Sequence, residues 1–106
     1  MRFDQIFGEA LDAGLDVAQA GGRAAEDWFA KVAAANRQTL MSIARGVAEG
    51  QISDETAAML FEENGNVLRA EADALSVILR AAAQGAINAF LMRLRQGLGA
   101  ALRIAI

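Results

Sequence analysis

The chain contains no cysteine, no histidine, no proline and no tyrosine, and Lys31 is its single lysine. Without cysteine there is neither a disulfide framework nor thiolate chemistry, which leaves the redox compartment open and makes a cytoplasmic or virion-like assembly the default expectation. Losing His and Cys together removes the usual zinc ligands, the side chain that titrates near neutral pH, and the Ser-His and Cys-His nucleophile systems. A carboxylate di-metal centre in a helical bundle would ordinarily use Glu-x-x-His pairs, which this composition excludes. Glu62, Glu63, Glu71 and Asp73 supply acids without a convergent spacing. The expectation is a protein with no catalytic residues, no cofactor and no metal.

Without proline nothing forces a helix to stop, alanine is abundant, and the β-branched and aromatic runs that would argue for strands are missing. The fold class is therefore all-α. With 55% hydrophobic and 22% charged residues, the 106-residue chain is too apolar for disorder and of a size for one helical domain, residues 1–106. Met1-Arg2-Phe3-Asp4 leads into an acidic amphipathic segment rather than the apolar run of roughly 7 to 15 residues that a secretory signal needs, so a cytoplasmic start is expected.

Residues 1–50 read as two acidic amphipathic helices. Phe3, Ile6, Phe7, Ala10, Leu11, Leu15 and Ala18 share one face of the first, with Glu9, Asp12 and Asp16 opposite, a line read as a solvated face rather than a cation site. Gly21-Gly22 ends it. A second helix spans about Arg23 to Glu49, with Trp28, Phe29, Val32, Thr39, Leu40, Ile43 and Val47 apolar and Gly50 closing it. Trp28 reads as a core anchor ahead of a partner contact. Asn36 falls within the apolar side, as a buried group needing partners or as a rim residue, and such an Asn can set register between helices. The link Gln51-Ile52 is so short that the second and third helices should be antiparallel neighbours.

Ser53, Asp54 and Glu55 form a strong helix start, through a capping hydroxyl and early acids that suit the positive end of the helix dipole. From there the pattern predicts one long helix over 53–106, or two if Asn64-Gly65-Asn66 breaks it, giving three or four helices in all. Small or apolar residues recur in steps of three and four at Phe61, Gly65, Leu68, Ala72, Leu75, Leu79, Ala82, Ala86 and Ala89. That is the 3.5-residue seam of a helix packed along another at a shallow angle, as in a coiled coil. The character changes at Asp73. Before it, Glu62, Asn66, Arg69 and Asp73 make a wet back; beyond it Val77, Ile78, Ile87, Phe90, Leu91, Met92 and Leu94 set apolar groups nearly all round. A helix apolar on most sides must be covered by several neighbours, a second copy or lipid. A straight third helix of roughly 75 Å would outrun a second helix of roughly 40 Å, so the tail must fold back near Gly97 and Gly99 or meet another subunit.

Charge divides at the same point. Thirteen acids against six bases leave the first 73 residues at −7, and Arg80, Arg93, Arg95 and Arg103 with no acid leave the rest at +4. An acidic front should face the basic tail of a neighbour or of its own fold. Those arginines are interleaved with apolar residues in an acidic protein, which argues against nucleic acid. Gly97-Leu98-Gly99 follows no strand and is no phosphate loop. Ala81, Gly85 and Ala89 keep a small-xxx-small spacing that suits tight packing in water or in a bilayer. The uncharged run from Ala81 to Met92 is too short to span one.

The sequence thus reads as a non-enzymatic structural or assembly protein that packs as a bundle in a homo-oligomer or larger protein complex. Leu68, Ala72, Leu75, Leu79, Ala82, Ala86, Ala89, Phe90 and Leu94 are the expected interface. The alternative class is a membrane-associated or pore-forming, holin-like helical protein whose basic apolar tail lies on or enters the membrane surface.

Overall fold

A computed structural model describes residues 2–104 and 106. The apolar face anticipated near the N-terminus forms α1, Phe3–Ala18, which runs through a single 3-10 turn, Gln19–Gly21, into α2, Gly22–Ala48. The reversal is made at Gly22, whose φ of 76° is open to glycine and costly for other residues. At the far end of α2, Gly50 takes a φ of 72°. Its N–H donates to the Val47 carbonyl at 3.0 Å while the Gln51 N–H donates to that of Gly46 at 2.8 Å, the paired bonds of a Schellman stop. Ser53 then opens α3, Asp54–Asp73, its Oγ accepting from the Thr56 N–H at 3.1 Å. The expected capping hydroxyl is in place.

The long third helix does not form, and the expectation of one helix over 53–106 is corrected here. The chain turns at Ala74–Ser76 and restarts as α4, Val77–Leu102, so the described residues form four α-helices. The break is not at Asn64-Gly65-Asn66 either, since α3 passes straight through that triplet. Gly65 is there for close approach: a Cβ on it would lie 2.8 Å from Leu91 Cδ1 of α4. Nor does the chain fold back at Gly97 and Gly99, which both lie within α4. The physical reason for the actual break is coverage. Two helices of 27 and 26 residues measure about 40 Å each. The molecule is 42 × 23 × 20 Å, so both fit its long axis and a straight 53–102 helix would not. Turning after Asp73 lays the apolar α4 back along the other three.

Contacts fix the directions. Against α3, α4 pairs Arg95 with Glu62, Asn88 with Arg69 and Gln84 with Asp73. Against α1 it pairs Arg93 with Glu9 and sets Gly97 on Ile6 and Gly85 on Val17. Numbers fall on one helix as they rise on the other in both sets, so α4 is antiparallel to α1 and α3. Asn64 Nδ2 donating to Asn36 Oδ1 at 3.2 Å joins α3 to α2, antiparallel neighbours as the short link required. The helices alternate up, down, up, down, and the broadest contact joins α1 to α4.

Phe90 of α4 centres the core, edge-on to Phe7 of α1 at 5.5 Å and to Phe29 of α2 at 5.7 Å between ring centroids. Such T-shaped pairs add to plain burial. Trp28 is half-buried and packs against this core. Asn36 is half-buried with its needs met, donating to the Val32 carbonyl at 2.9 Å while accepting from Asn64.

The closeness of α1 and α4 depends on Gly14, where a Cβ would strike the Phe29 ring and stand 3.0 Å from the Ala86 carbonyl oxygen. Gly14→Val should therefore destabilise the fold by about 1 to 3 kcal/mol through overpacking. Gly8, on the same helix, has nothing within 4 Å of a built Cβ. There Gly8→Ala should stabilise by about 0.5 to 1 kcal/mol, since glycine has the more flexible unfolded chain. Urea denaturation of the two variants, with opposite signs expected, checks the assignment.

Candidate interaction surface

Only one side of α4 faces water, and its rotation is held from both flanks. On the α3 side Gln84 Nε2 donates to Asp73 at 2.6 Å, Arg69 Nε to Asn88 at 2.9 Å and Arg95 to Glu62 at 3.4 Å. On the α1 side Arg93 donates to Glu9 at 3.3 Å. Two of the four late arginines thus meet the acidic front inside the same chain. Between these rows lies a line of residues at helical spacing: Val77, Ile78, Ala81, Gly85, Met92 and Gln96. None is charged.

Three large apolar side chains stand in water on this line, Val77 at 79%, Ile78 at 85% and Met92 at 61% exposure. Ala81 is exposed and Gly85 half-buried, so the middle of the line is low and smooth. At its far end Met92, Gln96, Gly99 and Ala100 border an open groove of about 460 Å³, closed on the other side by Ile104 and Ile106. Arg95 Nε donates to the Ile106 carbonyl at 2.8 Å there and anchors the last residue.

The nine residues expected at an interface are placed otherwise. Leu68, Ala72, Ala82, Ala86, Phe90 and Leu94 are buried in the protein's own core, and Leu75, Leu79 and Ala89 are half-buried. The seam is real as a packing line, but α4 folding back on α1, α2 and α3 fills it within one chain. The outward line was not singled out as a surface, although Val77-Ile78 directly after Ser76 was a signal: apolar residues in a helix's first turn face outward when the following stripe turns inward. Among the described residues no group of acids could hold a metal ion.

The chain matches no protein-family model, and no curated protein and no solved structure is significantly similar to it. Its class rests on architecture: an antiparallel, up-and-down four-helix bundle with an apolar fourth helix.

Ala86 decides between a core seam and an outward one. Ala86→Leu should cost about 1 to 3 kcal/mol at concentrations where the protein is monomeric, because the added atoms meet α1 of the same chain. Thermal melts at micromolar and at far lower concentration should show the same loss.

Proposed function

We propose that this protein is a non-enzymatic helical assembly module that associates with a second copy of itself through the outward line of α4. One observation carries the reading: Val77, Ile78 and Met92 stand in water on an uncharged helix face. Exposed apolar groups in line, rimmed by polar residues, are what a helix-docking surface requires. Ala81 between them would let a partner helix approach closely. An antiparallel two-fold pairing of α4 on α4 brings exposed Arg103 of one copy towards Glu71 and Asp73 of the other, matching the basic end of the chain to its acidic part. The line is roughly 29 Å long, and at one helix width its pairing buries on the order of 700 Å² in total, below the roughly 1,000 Å² of a stable specific interface. Association is therefore weak and concentration-dependent.

Light scattering behind size-exclusion chromatography should show the 11.2 kDa chain approaching twice that mass as concentration rises through the micromolar range. Ile78→Asp and Met92→Glu should hold it monomeric with little loss of stability, both sites being exposed. Association unchanged in both variants would sink this reading.

A second reading draws on α4 itself, which is long and apolar enough to cross a bilayer while only 33% of its most apolar window is buried. In that reading α4 leaves the bundle for lipid, with Arg93, Arg95 and Arg103 attracted to anionic headgroups. The assembly reading expects no co-flotation with anionic vesicles at any salt concentration. Robust flotation that weakens as salt is raised would replace it with the membrane reading.

A further inference from the structure

The turn between α3 and α4 is closed by 3-10-type backbone bonds, Ala74 N–H to the Glu71 carbonyl at 3.2 Å and Leu75 N–H to that of Ala72 at 3.0 Å, and not by a residue that breaks helices. Ala74, Leu75 and Ser76 include no glycine and no proline, and Ala74 stays near helical geometry at φ −77°, ψ −9°. Ser76 leaves it, with ψ 156°, yet its side chain makes no capping hydrogen bond. Side chains from the first two turns of α4 also hold it: Arg80 Nη2 donates to the Leu75 carbonyl at 3.2 Å and Gln84 donates to Asp73. The 3.5-residue seam meanwhile runs through the turn in register, from Leu68 and Ala72 to Leu79 and Ala82.

We infer that Ala74–Ser76 is a hinge which straightens to join α3 and α4 into one helix, and that two such opened chains exchange α4 to form a domain-swapped dimer. Straightening removes α4 from its own α1, α2 and α3 and uncovers the Phe7, Phe29 and Phe61 side of the core. The surface that fits there is another α4, so the partner is a second copy and the contacts of α4 with the other three helices, apart from those of the turn itself, are remade between chains. A short connection whose sequence favours helix while the fold demands a turn invites this exchange. The route does not use the outward line of α4.

Val77 separates the closed and open forms. It is the first residue of α4 and 79% exposed. Proline suits that position in the turn, because it tolerates the first helical site and wants an extended residue before it, as Ser76 is. In a straight helix the same proline loses the N–H that would donate to Asp73 and clashes with the preceding turn. Val77→Pro should therefore fold as the monomer and lower swapped dimerisation on the order of a hundredfold per hinge, whereas Ser76→Ala should raise it about twofold per hinge.

The experiment refolds wild type, Val77→Pro, Ser76→Ala and Met92→Glu at millimolar concentration and separates monomer from dimer. A chain carrying Glu62→Cys and Arg95→Cys is bridged with a short bis-maleimide in each fraction. The expected result is a dimer abolished by Val77→Pro, enriched by Ser76→Ala, retained in Met92→Glu and bridged between chains. A dimer bridged only within chains is face-docked and overturns the hinge while leaving the proposed function standing. No dimer from Ser76→Ala, or equal dimer from Val77→Pro, overturns it as well.

Discussion

The fourth helix has almost no polar side of its own, and the rest of the molecule is arranged around covering it. A helix apolar over most of its circumference has more apolar surface than one neighbour can cover, so three amphipathic partners pack on it, each offering one apolar face. α1, α2 and α3 are those partners. Gly14 lets α1 settle onto the α4 backbone, Gly65 makes room for Leu91, and Phe90 ties α4 to both α1 and α2. The direction reversal after Asp73 follows from the same requirement, since only a helix that turns back can be covered by chain that precedes it.

Electrostatics has a smaller and different part. The acidic front and basic tail are reconciled within the chain by Arg93 with Glu9 and Arg95 with Glu62, while Arg37 pairs with Asp4 between α2 and α1. All are partly exposed pairs, for which a contribution near or below about 1 kcal/mol is the norm. Their effect is on orientation: the Arg93 and Arg95 pairs flank α4 on the side that meets water. The Asn36–Asn64 bond acts similarly between α2 and α3, penalising a slide along the helix axes that apolar side chains alone would permit.

Several features were legible because they depend on neighbours within a few residues. Gly21-Gly22, Gly50 and the Ser53 cap are local chemistry, and each helix boundary beside them fell within a residue or two of its expected place. The stop at Ala74–Ser76 was not legible in this way, because it is imposed by distant residues against a local preference for helix. Gly65 misleads for the converse reason: glycine signals a break by conformation, whereas here it is required by the approach of Leu91. The seam from Leu68 to Leu94 was visible as a stripe, but a stripe states only that something packs there. Whether the covering helix belongs to the same chain depends on whether the chain turns back, and the pattern left that undetermined. The outward line of α4 stayed hidden because an all-round apolar helix has no obvious outside until its neighbours are placed.

The pairing of α1 with α4 has a consequence for how the protein is made. Glu9 and Arg93 are 84 positions apart, so the most extensive contact in the bundle joins two helices that are synthesised far apart in time. Until α4 has left the exit tunnel, the first three helices present apolar faces with nothing to cover them, and the two-helix contacts already available do not enclose a core. Closing so long a loop is slow relative to forming local helix, which prolongs that interval. The core is therefore completed only when α4, the most apolar segment, docks on the three helices that precede it.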